Sequence, residues 1–97
     1  MPSFIVTCVD GKDKAQHRAE ARAQHLDYIE GKANKILLVG PLLDEENNVV
    51  GSLYMVEADD MAGAKAFVDA DPFAKIGLFE TVETRRFRTH LGTLLKR

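Results

Sequence analysis

One cysteine, Cys8, stands among the 97 residues. That excludes an intrachain disulfide, and no set of Cys and His has the spacing of a zinc site. Cys8 lies in an apolar segment and reads as a small buried hydrophobe rather than a reactive thiol. No apolar run approaches the roughly 20 residues of a membrane helix. The stretch Met1-Pro2-Ser3-Phe4-Ile5-Val6 has neither a basic start nor a long apolar core, so no signal peptide and a cytoplasmic location are expected. Charge of one sign is also scarce. Fifteen acidic residues against thirteen basic ones give −2, too little and too mixed to steer nucleic acid. There is no GxSxG, no P-loop and no GxGxxG. Repeats, linkers and low-complexity stretches are missing too. No metal and no cofactor are expected.

What is present is globular in composition. Hydrophobic residues make up 45% and charged residues 29%, and the length suits a single domain over residues 1–97. Phe4-Ile5-Val6-Thr7-Cys8-Val9 reads as a strand from Ser3 to Val9, broken by Asp10-Gly11. From about Asp13 to Glu30 the pattern is helical, with Asp13 as N-cap, Ala15, Ala19, Arg22, Leu26 and Ile29 on one face, and Gly31 just past the end. Lys35 to Val39 is a second strand ended by Gly40-Pro41. Asp44-Glu45-Glu46-Asn47-Asn48 is a hairpin loop, and Val49 to Ala58 is the third strand. Asp59 or Asp60 caps a second helix with Met61, Ala64, Phe67 and Val68 on one face. Asp71-Pro72 closes that helix and opens a short turn. Leu78 to Arg88 is the fourth strand, and the tail from Thr89 to Arg97 is less defined.

This order predicts an α+β fold, the ferredoxin-like βαββαβ sandwich of two layers with strands ordered 4-1-3-2. The fourth strand carries Glu80, Glu83, Arg85, Arg86 and Arg88, as an edge should. Two helices cover only one face of such a sheet. Yet Phe4-Ile5-Val6, Ile36-Leu37-Leu38-Val39 and Leu53-Tyr54-Met55-Val56 are apolar at consecutive positions, which point to opposite faces. The open face wants a cover, and a second copy of the same sheet is the simplest one. A homodimer, the dimeric α/β barrel, is therefore expected.

Three histidines remain as chemistry-bearing groups. His17 lies among Lys14, Gln16 and Arg18 on a solvated face, and His90 follows a basic edge. His25 sits at the margin of the apolar face, three residues after Arg22 and on the same side of the helix. It fits either a core-edge histidine or a group looking into the space between helix and sheet. Asp71 before Pro72 is open in the same way, since helix-terminating turn chemistry also explains it. Gly51-Ser52 inside an apolar strand hints at a bulge or a close approach.

Four segments in order then carry a resemblance. Arg22-Ala23-Gln24-His25-Leu26 matches Arg-x-x-His-Leu, and Ile36 to Leu42 is a strand with Gly40-Pro41 near its end. Gly51-Ser52 and Ala70-Asp71-Pro72-Phe73 complete the set. Together, from the first strand to about Phe87, they resemble the YciI-like (YCII-related domain) family. The resemblance implies a ferredoxin-like dimeric barrel with a cleft where a histidine and an aspartate meet, here His25 and Asp71. On that basis the expected function is a cofactor-free enzyme using a His–Asp acid/base pair on a small organic acid or ring compound, by elimination or isomerisation. Arg22 would anchor a carboxylate, Ser52 and the backbone near Gly40 would donate to developing negative charge, and Phe73 would wall the pocket. The alternative is a non-catalytic module that binds a small molecule or dimerises. A cofactor-free monooxygenase is a third idea with no residue pattern behind it.

Overall fold

The computed structural model describes residues 1–95. Four strands, β1 (Ser3–Asp10), β2 (Ile36–Leu43), β3 (Val49–Glu57) and β4 (Phe79–Phe87), form one antiparallel sheet ordered β2-β3-β1-β4. Helices α1 (Ala15–Gly31), α2 (Met61–Asp69) and the one-turn α3 (Pro72–Lys75) lie on one side. This is the expected βαββαβ topology, and the strand order 4-1-3-2 holds. None of the helices among the described residues is long and apolar enough to cross a membrane.

Alternation along the central strands sorts the two faces. Phe4, Val6 and Cys8 of β1 and Tyr54 and Val56 of β3 are wholly buried with Ala64 and Val68 of α2. Their neighbours turn the other way. Ile5, Leu53 and Met55 are only half-buried, and Val9 and Leu38 are 48% and 41% exposed. The open face is thus apolar and uncovered within one chain, as the consecutive apolar residues predicted.

Gly51 shows why its residue type is fixed. It pairs with Val9 on β1, and a β-carbon there would collide with the Cys8 carbonyl oxygen and press on the Leu42 side chain. Gly51→Ala is therefore expected to destabilise the fold by about 1–3 kcal/mol, the usual cost of overpacking. A thermal melt checks it; an unchanged midpoint would mean that the strands part more easily than their pairing indicates.

Several boundaries differ from expectation. Asp13 does not cap α1: it sits at φ 59, and Lys14 precedes the helix without a side-chain cap. Aspartate tolerates this left-handed conformation, which completes the turn out of β1. Gly31 is the last helical residue rather than the one beyond it; Lys32 N–H returns to the Ile29 carbonyl at 3.1 Å and a 3₁₀ turn follows. Gly40-Pro41 does not end β2, which runs on to Leu43 with Pro41 opposite Ser52. β2 is an edge strand, where a missing N–H costs least. The hairpin and the second helix match expectation: Asp44 takes N–H bonds from Glu46 and Asn48, and Asp60 caps α2 through Gly63 N at 2.8 Å. In the tail, Thr93–Leu95 forms a 3₁₀ turn, and residues 96–97 lie outside the described residues.

The largest correction concerns the face of α1. Ala21 and His25 are its buried residues, with Arg18, Tyr28 and Ile29 half-buried, whereas Ala15, Ala19, Arg22 and Leu26 are exposed. Those four line an open cleft between α1 and the β2–β3 ribbon. The helix packs instead on α3, where Ala21 meets Phe73 and Leu78.

Candidate functional site

Pro72 at the first position of α3 pre-sets the helical φ, and Asp71 before it is extended (φ −68, ψ 135). In that geometry the Asp71 carboxylate turns back to cap its own helix. Oδ1 accepts the Phe73 N–H at 2.8 Å. The same carboxylate is fully buried and takes two further donors: the Tyr54 hydroxyl reaches Oδ2 at 2.7 Å, and His25 Nδ1 lies 2.8 Å from Oδ2. Three donors satisfy a charge that would be costly to bury alone. An ionised carboxylate only accepts, so His25 Nδ1 carries its proton and Nε2 keeps a free lone pair when the ring is neutral. The ring stacks on Phe73 with centroids 4.0 Å apart and planes 11° from parallel. This leaves Nε2 for the cleft that His25 lines.

The cleft encloses about 680 Å³. Of the sequence-derived residues, His25, Arg22, Gly40, Ser52 and Phe73 all line it, and Asp71 lies behind His25. Arg22 is exposed and has no partner among the described residues, so its guanidinium is free to meet an anion. His17 and His90 are exposed. Among the described residues no group of three or more His, Cys, Asp or Glu is arranged to hold a metal.

Three residues of the site escaped the sequence reading. Arg18 forks onto Asp10, with Nε to Oδ2 at 2.7 Å and Nη2 to Oδ1 at 2.8 Å, and Nη2 also donates to Ser52 Oγ at 2.9 Å. Its guanidinium carbon lies 4.6 Å from the Phe73 ring centroid. Arg18 stands four residues before Arg22 and seven before His25, which is one helix side and the signal that could have found it. Asp10 read only as a strand terminator. Tyr54 was hidden in an apolar run, though a buried tyrosine hydroxyl needs a partner.

Electrostatics keep Tyr54 and Cys8 neutral. Burial, then the Asp71 charge, push the Tyr54 hydroxyl far above its usual value, so it serves as a donor and not as an acid. Burial first, then the Asp71 and Asp10 charges, push the Cys8 thiol from 9.0 up to about 12. Both groups hold their protons in the fold at pH values where the unfolded chain loses them. The stability this provides is whole below about pH 9 and is lost as pH rises toward the folded values. Melting temperature is expected to fall from about pH 9 upward, in a series of melts from pH 7 to 11. Native Cys8 should also resist a disulfide reagent at about pH 8 and react fully once unfolded. A flat alkaline profile with a fast native thiol would contradict both.

The sequence profile of the YCII-related domain matches residues 3–88. Protein YciI of Escherichia coli O6:H1 is 25% identical over 93 residues, covering 88% of this chain and 95% of that protein. Among solved structures, TftG is 30% identical with a TM-score of 0.83, over 91% of this chain and 95% of that one. It is the 5-chloro-2-hydroxyhydroquinone dehydrochlorinase of Burkholderia phenoliruptrix AC1100, seen in complex with 2,5-dihydroxybenzoquinone. An antibiotic biosynthesis monooxygenase matches 94% of this chain and all of its own with a TM-score of 0.55 at 8% identity, a likeness of fold alone. The fold is that of the dimeric α/β-barrel class.

Proposed function

The chain belongs to the YCII-related domain family, and we propose that it is a cofactor-free acid–base enzyme acting on a small oxygenated ring by elimination or isomerisation. One observation carries this reading. Asp71 holds His25 by Nδ1 at 2.8 Å, which leaves Nε2 for a cleft of about 680 Å³. Nε2 takes a proton from an acidic hydroxyl or ring C–H, and Asp71 balances the imidazolium that forms. Where the ring bears a leaving group, the released electron pair expels it as an anion, so the net change is loss of HX without oxidation or reduction. Where it bears none, the proton returns at another atom and the ring is isomerised. Arg22 at the cleft mouth anchors an anionic substituent, Ser52 and the Gly40 backbone face the developing charge, and Phe73 walls the ring. The likeness to a dehydrochlorinase bound to a dihydroxybenzoquinone supports this substrate class.

The test is chloride release from chlorinated hydroxyhydroquinones, with and without a chelator. Turnover that persists in chelator and vanishes in a His25 variant is expected. Tight retention of such rings with no release of chloride or rearranged product would make the protein a binding module instead.

The active unit is a homodimer joined through the open sheet face. Ile5, Val9, Leu38, Leu53 and Met55 supply an apolar surface there, and a stable interface buries on the order of 800 Å² per partner. Light scattering at micromolar concentration should report twice the chain mass; a stable monomer would remove the dimer from the account.

A further inference from the structure

The cleft holds donors that the His25–Asp71 pair does not use. A guanidinium has five N–H donors. Arg18 gives three bonds, two to Asp10 and one to Ser52, through Nε and Nη2. Nη1 keeps both hydrogens and has no acceptor among the described residues. Ser52 is 3% exposed, and its Oγ is already accepting from Arg18. Its own hydrogen is therefore free to be given, again with no acceptor among the described residues. Both side chains line the cleft, and Arg18 and His25 lie against the same Phe73 ring. Two donors without an acceptor, on side chains that line the cleft beside a base, make a socket for an oxygen.

We propose that Arg18 Nη1 and Ser52 Oγ form an oxyanion subsite, and that the substrate is a planar ring whose acidic hydroxyl leaves a delocalised oxyanion, as in hydroxyquinones and polyhydroxylated arenes. This rests on the reading of His25 as base. The proton passes from a ring hydroxyl to Nε2, the electron pair stays on the ring oxygens, and one of those oxygens sits in the socket. Nothing is oxidised or reduced. Asp10 selects the anion. It already balances the charge of Arg18, so the socket offers directed donors with little net charge. A delocalised oxyanion, with only part of a charge on each oxygen, fits that. A phosphate dianion in this socket would meet a guanidinium whose charge Asp10 already balances, with Arg22 the one unpaired cation of the cleft lining among the described residues.

Binding tests this separately from turnover. The probes are 2,5-dihydroxybenzoquinone, 1,4-dimethoxybenzene (a ring without an acidic oxygen), benzoate and inorganic phosphate, each titrated by calorimetry against the whole chain. Wild type should prefer the dihydroxybenzoquinone. Ser52→Ala, which leaves the Asp10–Arg18 pair in place, should weaken it severalfold, and Asp10→Asn/Arg18→Gln should weaken it about tenfold or more. The double variant is used because Arg18→Gln alone strands a buried carboxylate. Dimethoxybenzene affinity should not move. Dihydroxybenzoquinone affinity unchanged in both folded variants overturns the subsite, as does a wild type that binds phosphate or benzoate better, or that binds no dihydroxybenzoquinone. The two readings part cleanly. Binding that needs Arg18 and Ser52 without any turnover keeps the subsite and removes the enzyme; turnover that needs His25 with binding indifferent to them does the reverse.

Discussion

His25→Ala is expected to lower turnover on the order of 100-fold or more, the usual scale for loss of a general acid or base. The fold should survive. The ring gives up its stacking on Phe73, worth about 0.5–1.5 kcal/mol. The Asp71 carboxylate loses one donor but keeps the Tyr54 hydroxyl and the Phe73 N–H. His25→Gln is the sharper variant, because its amide can still donate toward Asp71 but cannot take a proton near neutrality. Initial rates of halide release, set beside thermal melts, read both effects. A rate within a few-fold of wild type in both variants would remove His25 from the chemistry. A melting temperature that collapses in step with the rate would make it a core-edge histidine whose work is structural.

The fold was readable because its punctuation is local. Asp60 before Met61 and Asp71 before Pro72 act within a few residues, and the structure uses both as caps. The double apolar loading of the strands was readable for the same reason, since alternation is a property of neighbours. The α1 face was misread because periodicity reports which residues are apolar, not what they face. Ala15, Ala19 and Leu26 form a genuine stripe, but it borders the cleft, while the side with Arg18, Ala21 and His25 turns to α3 and the sheet. Arg18 looked solvated because its neighbours Lys14, Gln16 and His17 are polar. Adjacent helix positions do not share a face, whereas Arg22 and His25, at four and seven residues on, do. The contact between His25 and Asp71 spans 46 residues. No local pattern reports such a pairing, and only the order of motifs along the chain pointed to it.

Asp71 joins the two meanings that its sequence position left open, since one carboxylate caps a helix and holds a histidine. Its removal should therefore cost more than that of His25. Asp71→Ala deletes an N-cap, worth about 1 kcal/mol. It also strands the Tyr54 hydroxyl and His25 Nδ1–H in a dry site, at about 1–3 kcal/mol each. The sum, about 5 kcal/mol, is a large part of the 5–15 kcal/mol that holds a typical domain. In a chain of this size it lowers the melting temperature by about 20 °C. Asp71→Asn keeps one acceptor oxygen and should lose roughly half as much. Tyr54→Phe shows whether the cause is the stranded donor. In the wild-type background it takes a donor from a buried carboxylate and should destabilise. In the Asp71→Ala background it removes an unpaired buried hydroxyl and should be neutral or stabilising. That change of sign, read from four melts in a double-mutant cycle, distinguishes a shared hydrogen-bond network from plain loss of packing. Equal cost of Tyr54→Phe in both backgrounds would show that the hydroxyl and the carboxylate do not depend on each other.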